Sequence, residues 1–115
     1  MSSGVESRTD IEDLGYFEVA VRRGWIKPTN QARSRQMCDR ILVAAFKVFS
    51  KNGYRDANVS DITKAAGCSV GIFYRRFRDK ESLFYALQHR HYEQAYRMLD
   101  RLMDMNDSKK GTKKF

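Results

Sequence analysis

The sequence is poor in cysteine, with only Cys38 and Cys68 among its 115 residues. Both cysteines fall at core-facing positions of predicted helices, where a free cysteine behaves as a small buried hydrophobic residue. Two cysteines placed in this way predict neither a disulfide framework nor a metal-binding pair.

Long apolar runs are missing as well. No stretch approaches the roughly 18 consecutive apolar residues that a membrane-spanning helix requires. The N-terminus is polar and does not contain the hydrophobic core of a signal peptide. We therefore expect a cytoplasmic protein that does not enter a membrane.

The sequence also has no recognisable catalytic constellation. It contains no paired carboxylates, no nucleophile with a neighbouring base and no phosphate-cradling loop. His89 and His91 would lie about 200° apart around a helix, so they cannot ligate one metal ion together from that helix. We therefore expect no enzyme, with no catalytic residue, no metal site and no cofactor.

Basic residues are abundant and unevenly distributed. The formal net charge of +8 divides into −1 for residues 1–32, +7 for residues 33–80 and +2 for residues 81–115. Such an excess on one segment is typical of phosphate neutralisation, although RNA or another anionic surface would also attract it. Residues 33–80 are therefore the candidate nucleic-acid-binding unit.

A helix-turn-helix pattern lies within this basic segment. Residues 59–67, V-S-D-I-T-K-A-A-G, predict a short amphipathic helix that ends at Gly67. Residues 68–77, C-S-V-G-I-F-Y-R-R-F, place Phe73 and Phe77 one turn apart on one face of a second helix. The opposite face is free to read DNA and carries Gly71, Ile72, Tyr74 and Arg75.

Longer amphipathic helices flank this pair. The first is predicted at 34–51, before Asn52 and Gly53, and its buried stripe consists of Ile41, Leu42, Ala45, Phe46 and Phe49. The last begins after Asp79 and extends to about residue 105. Its apolar stripe consists of Leu83, Phe84, Leu87, His91, Ala95, Met98, Leu99 and Leu102. The prediction is an all-α fold: a three-helix, homeodomain-like helix-turn-helix domain followed by a long fourth helix.

Three runs taken together resemble a known family. They are R-I-L-V-A-A-F-K-V-F-S-K-N-G-Y at 40–54, N-V-S-D-I-T-K-A-A-G-C-S-V-G-I-F-Y-R-R-F at 58–77, and D-K-E-S-L-F-Y-A-L at 79–87. Their order and their aromatic and glycine landmarks resemble the DNA-binding domain of TetR-family transcriptional regulators. The resemblance implies a sequence-specific DNA-binding regulator, specifically a repressor, that reads the major groove with the helix 69–77.

Phosphate contacts are predicted at the helix ends. Asn58 and Ser69 are the predicted N-caps of the two short helices, and Ser60 lies where exposed backbone amides can meet a phosphate. The resemblance to the family implies that Tyr74 and Lys80 also contact the DNA backbone.

Base contacts are predicted on the outward face of the second short helix. The resemblance places Arg75 at the bases, where an arginine can pair with guanine through two hydrogen bonds. Gly71 allows the backbone to approach DNA, and Ile72, next to Val70, can contact a thymine methyl group. Arg76 is either a backbone contact or a solvated charge.

The N-terminal residues match no motif. The stretch 16–28 has strand-like or loop character, and two alternatives stay open for the whole extension. It is either a poorly ordered leader, or Tyr16, Phe17 and Trp25 pack on the helical domain or on a partner. Arg35 is predicted in an arm before the first long helix, where it either follows the DNA or remains a solvated charge.

The predicted organisation is an N-terminal extension at 1–32, the DNA-binding domain at 33–80, the fourth helix at 81–105 and a basic, disordered tail at 106–115. The family resemblance implies that the fourth helix leads to a C-terminal domain that binds a ligand and forms the dimer. No segment of this sequence resembles that domain.

Double-stranded DNA is the predicted partner, and we expect the bound protein on the nucleoid. The predicted homodimer would form through the fourth helix or through the missing C-terminal domain; a monomer is the alternative. The competing function is a protein-interaction module, a degenerate helix-turn-helix that binds and modulates another regulator. Val70 and Ile72 favour that alternative, whereas DNA binding is favoured by Arg75, Arg76, Arg78 and Lys80.

Overall fold

The computed structural model describes residues 15–109, and the secondary structure in this range is helical. Five α-helices follow one another along it: α1 (Tyr16–Arg22), α2 (Ala32–Asn52), α3 (Val59–Ala66), α4 (Val70–Arg76) and α5 (Lys80–Lys109). Outside the helices, an antiparallel bridge pairs Ile26 with Phe77. The predicted all-α fold, with a helix-turn-helix followed by a long helix, is confirmed.

The helix α2 is the central support of the domain, because it packs against both α3 and α5. Its predicted stripe residues Ile41, Leu42 and Ala45 are fully buried. The prediction was wrong for Phe46, whose side chain is 49% exposed. Phe46 lies at the edge of the stripe, and its ring packs edge-on against the ring of His91 with centroids 4.7 Å apart.

One hydrophobic core joins all five helices. Each fully buried aliphatic or aromatic side chain contributes about 1.5–3 kcal/mol relative to an exposed one. The largest fully buried members are Ile26, Ile41, Leu42, Ile62, Phe73, Phe77 and Leu83. Phe73 of α4 and Phe77, directly after it, therefore lie in the same core as the helices that support α4.

The N-terminal extension differs from its predicted strand or loop character. Residues 16–22 form the helix α1, in which Phe17, Val19 and Ala20 are buried. Tyr16 donates a hydrogen bond through its hydroxyl to the Asp39 carboxylate. Of the two alternatives for this extension, packing on the helical domain is therefore the one observed from Tyr16 onward.

The helix α5 is buried along its first two turns and then leaves the core. Leu83 and Leu87 are buried, whereas Met98, Leu99 and Leu102 are exposed. Among the described residues, no helix has the combination of length and apolar character needed to cross a bilayer. The tail was predicted to begin at residue 106, but α5 extends to Lys109, and the rest of that tail lies outside the described residues.

Candidate nucleic-acid interface

The first helix of the candidate interface, α3, begins at the predicted N-cap. The Asn58 side chain accepts a hydrogen bond of 2.8 Å from the backbone N–H of Asp61. This bond fixes the start of α3 and satisfies one of its free amides. Ser60 is exposed in the same first turn. The remaining amides and the positive end of the helix dipole favour an anion here.

A tight turn ends α3 and sets the direction of α4. Gly67 adopts the left-handed conformation, with φ of +74°. The N–H of Gly67 donates to the carbonyl of Lys64, and the N–H of Cys68 donates to that of Thr63. This pair of bonds is the Schellman motif, which closes a helix with donors from the next two residues. Arg40 of α2 adds a guanidinium hydrogen bond of 2.5 Å to the Ala66 carbonyl.

The second helix, α4, is capped at its start and anchored along one face. The hydroxyl of Ser69 accepts a hydrogen bond of 3.1 Å from the N–H of Ile72, as expected for the predicted N-cap. Phe73 and Phe77 are both fully buried. Their rings stack with centroids 5.6 Å apart. The anchoring face of α4 is therefore the predicted one.

The opposite face of α4 is open to solvent. Val70, Gly71, Tyr74 and Arg75 are exposed there, and Ile72 is half-buried. A Cβ atom built on Gly71 would meet its nearest neighbour, the Ser69 hydroxyl, at 3.8 Å, which is ordinary contact. The fold therefore has room for a side chain at position 71. A glycine inside a helix costs about 0.5–1 kcal/mol relative to alanine.

Arg76 is turned toward the core and does not lie on this open face. Its side chain is half-buried, and its Nη1 atom is fully enclosed. Its guanidinium interacts with the thiol of Cys38. Burial raises the pKa of this thiol to about 11. This position suits a structural role, and it differs from both predicted alternatives, a contact with the DNA backbone or a solvated charge.

Lys80 is held at the start of α5 by the connection that precedes α3. Its ammonium group donates hydrogen bonds of 2.8 Å to the Tyr54 carbonyl and 2.9 Å to the Ala57 carbonyl. It also lies 4.3 Å from the centre of the Tyr54 ring. A lysine ammonium has three donors, so one N–H remains for a phosphate. Lys80 therefore has a structural role in addition to any contact with DNA.

Asp79 caps the start of α5 through its side chain. The carboxylate of Asp79 accepts a hydrogen bond of 2.8 Å from the N–H of Ser82. That bond, with the nearby Arg78 side chain, holds the pKa of Asp79 below its usual value. The predicted cap at Asp79 is therefore confirmed.

Arg35 does not lie in an arm. The helix α2 begins at Ala32, so Arg35 is already helical. Its guanidinium lies 4.3 Å from the centre of the Phe17 ring of α1. The helix begins two residues before its predicted start at 34, and Arg35 packs on the N-terminal segment instead of extending as an arm.

Two residues that shape this region were not predicted from the sequence. Arg40 closes the end of α3, as described above. Lys27, in the segment after α1, donates a hydrogen bond of 2.7 Å from its ammonium group to the Tyr74 carbonyl of α4. The sequence gives little signal for such contacts, because each partner lies far away along the chain. Within the described residues, no group of three or more His, Cys, Asp or Glu side chains is arranged to hold a metal ion.

Comparison with known proteins agrees with this geometry. Residues 41–87 match a family described as bacterial regulatory proteins, tetR family. This segment belongs to the TetR family. It comprises α3, α4 and the adjoining parts of α2 and α5, and therefore includes the whole outward face of α4. The segment is accordingly a helix-turn-helix DNA-binding domain of the type found in transcription regulators.

Several TetR-type regulators are similar to this chain. The HTH-type transcriptional repressor AcnR of Corynebacterium glutamicum is 42% identical over 74 residues, which are 64% of this chain and 35% of AcnR. The HTH-type transcriptional repressor Rv1474c of Mycobacterium tuberculosis is 41% identical over 56 residues, 49% of this chain and 28% of the relative. The HTH-type transcriptional regulator UidR of Escherichia coli K12 is 37% identical over 57 residues, 50% of this chain and 29% of UidR.

The chain spans about a third of the length of these curated relatives. No solved structure matches the chain significantly.

Proposed function

We propose that the chain is a transcriptional repressor that binds double-stranded DNA in a sequence-specific manner, with residues 69–77 lying in the major groove. The observation that carries this proposal is the two-sided character of α4. Phe73 and Phe77 are fully buried, while Gly71 and Arg75 are exposed on the other side. Repression is supported by the printed names of two relatives, which are transcriptional repressors.

The base contacts are assigned to the exposed face of α4. Arg75 pairs with a guanine through two hydrogen bonds in the major groove. Gly71 lets the helix backbone come close to the bases, which gives a functional reason for a glycine that the fold does not require. Ile72 and Val70 supply apolar contacts of the kind that recognise a thymine methyl group.

The phosphate contacts are assigned to residues around this face. The N-terminus of α3, with Asn58 and Ser60, binds one phosphate through its amides and the Ser60 hydroxyl. The exposed Tyr74 hydroxyl and the remaining N–H of Lys80 bind others. The net charge of +7 on residues 33–80 supports this assignment, because phosphate contacts depend on cationic charge.

We further propose that the chain acts as a homodimer. The C-terminal half of α5 exposes Met98, Leu99, Leu102 and Met103, an apolar face that a second copy or a C-terminal regulatory domain would cover. Two copies would read two half-sites, which raises affinity and specificity together. Sedimentation that shows only monomer at high protein concentration would contradict pairing through α5. We place the protein in the cytoplasm, on the nucleoid when it is bound to DNA.

Selection from a pool of random DNA duplexes at two salt concentrations tests the main proposal. The full chain is expected to enrich one sequence motif, and a symmetric motif would indicate that two copies bind together. Arg75→Ala is expected to relax the preference at one or two positions, at a cost of about 1–3 kcal/mol for the selected sequence. Tyr74→Phe keeps the ring, removes only the hydroxyl, and is expected to weaken all sequences alike.

Equal losses from both variants on every DNA tested would contradict this division of roles. A second function, a protein-interaction module, is favoured by the apolar side chains on the same face, since Val70 is 42% exposed. Failure of the full chain to retain any DNA would make that second function the leading one.

A further inference from the structure

The recognition helix α4 has only seven residues, and the N–H of Phe77 donates a hydrogen bond to the Phe73 carbonyl at its end, with no left-handed residue there. The last four carbonyls of any α-helix have no partner within the helix and need donors from elsewhere. A glycine in the left-handed conformation commonly supplies the geometry for this, as Gly67 does for α3. Phe77, the residue after α4, instead adopts an extended conformation, with φ of −118° and ψ of 147°.

Lys27 provides donors for two of these carbonyls. Its backbone N–H donates a hydrogen bond of 2.8 Å to the Arg76 carbonyl. Its ammonium group donates one of 2.7 Å to the Tyr74 carbonyl. The cation also lies at the negative end of the helix dipole, where positive charge is favourable. A residue from outside the matched TetR segment thus closes the end of the recognition helix.

The residues next to Lys27 hold it in this position. Ile26 is 1% exposed, belongs to the same core cluster as Phe73 and Phe77, and forms the antiparallel bridge with Phe77. Pro28 follows Lys27 directly, and a residue before proline is restricted to extended conformations that suit such a bridge. The segment is therefore fixed on both sides of the lysine.

Trp25 attaches the same segment to α5. Its ring lies against the ring of Tyr85, with centroids 5.7 Å apart, and against that of His89, with centroids 6.4 Å apart. The residues 25–27 consequently connect the start of α5 with the end of α4.

We propose that residues 25–27 act as a brace for the recognition helix, and that Lys27 is a positioning residue for DNA reading. The inference rests on the proposed function for its consequence on DNA, but the brace itself can be tested on the free protein. Lys27 acts through the α4 backbone: it holds the C-terminal end of α4, and thereby fixes the angle at which Gly71 and Arg75 meet the bases.

The first test measures backbone amide exchange in the full chain without DNA. Lys27→Met keeps an unbranched aliphatic side chain and removes the ammonium group, and Lys27→Arg restores a charged donor. In Lys27→Met, amides at 73–77 are expected to exchange about fivefold faster, the size expected for loss of one net hydrogen bond. Amides at 62–66 in α3 are expected to keep their wild-type rates, and Lys27→Arg is expected to restore most of the protection.

Lys47→Met is the matched control, because Lys47 is an exposed lysine on α2. Its amide exchange is expected to match that of the wild type. Lys27 is itself exposed, so its substitution leaves the core intact, and circular dichroism of each variant verifies that the helices are retained. Unchanged exchange at 73–77 in Lys27→Met would overturn the brace.

The second test measures the ratio of affinities for the selected duplex and a scrambled duplex, at several salt concentrations. Lys27→Met is expected to lower this ratio roughly fivefold, while the slope of affinity against salt stays at the wild-type value. Lys27→Arg is expected to restore the ratio. A slope lower by about one with an unchanged ratio would identify Lys27 as a direct phosphate contact and overturn the positioning role.

The two proposals fail in distinguishable ways. A wild-type chain that enriches no DNA sequence would contradict sequence-specific reading, while the exchange measurement would still decide whether the brace exists. Normal enrichment by both wild type and Lys27→Met, with equal ratios, would contradict the positioning role alone.

Discussion

The C-terminal ends of α3 and α4 present the same physical problem and solve it differently. At the end of α3, Gly67 turns the chain so that its own N–H and that of Cys68 reach carbonyls three and five residues earlier. At the end of α4, two of the donors come from Lys27, whose ammonium group and the Tyr74 carbonyl lie 47 positions apart in the chain. The last carbonyls of a short helix can thus receive hydrogen bonds from the residues that directly follow it or from a distant segment of the chain.

The largest expected effect on stability comes from truncating Ile26, which holds the segment that carries Lys27 in the core. Ile26→Ala deletes a side chain that is 1% exposed in the shared core, and is expected to lower the free energy of unfolding by about 2–5 kcal/mol. Urea denaturation followed by circular dichroism measures this change. Val43→Ala is the control, since Val43 is 46% exposed, and is expected to change stability by at most about 0.5 kcal/mol. Similar small changes in the free energy of unfolding for both variants would mean that the segment carrying Lys27 does not unfold cooperatively with the rest of the domain.

An intermediate effect on stability is expected at Gly67, the residue that ends α3. Gly67→Ala puts a side chain at φ of +74°, with its Cβ atom 3.0 Å from the Arg40 guanidinium. A left-handed alanine costs about 1–2 kcal/mol, so the thermal midpoint should fall. Restored stability in Gly67→Asn relative to Gly67→Ala would support the conformational explanation, because asparagine tolerates this conformation better. An unchanged midpoint in Gly67→Ala would show that the turn does not depend on glycine.

The smallest expected change in stability is at Gly71, and it has the opposite sign. Gly71→Ala fits without a clash and is expected to raise the free energy of unfolding by about 0.5–1 kcal/mol. DNA affinity is nevertheless expected to fall, because the new methyl group lies on the face assigned to the bases. Calorimetric unfolding and a binding titration on the same preparation measure both quantities. Greater stability with undiminished affinity would remove Gly71 from the proposed interface.

Much of the helix-turn-helix could be predicted because its signals are short-range. Asn58 and Ser69 each cap a helix through an N–H three residues ahead. Phe73 and Phe77 alternate with the exposed residues at the helical period, so the buried side of α4 was identifiable. Such features depend on spacings of a few residues.

The features that could not be predicted involve residues whose surroundings come from other parts of the chain. The segment of α1 has strand-like composition, but burial of Phe17 and Ala20 on the helical domain favours a helix there. Intrinsic propensity is a weak influence that tertiary packing commonly overrides. Arg76 resembled its exposed neighbours in sequence. In the folded domain its side chain nevertheless points toward the core, and its guanidinium lies next to Cys38.

The sequence by itself determined where α3 and α4 begin, where α3 ends, and which face of α4 is buried, because caps, a left-handed glycine and helical periodicity act over a few residues. Only the tertiary structure decided how α4 ends, where Arg35 and Arg76 lie, and that the N-terminal segment is part of the domain. Those features require a donor or an apolar surface from a distant segment, and folding of the whole domain is what brings such groups within contact distance.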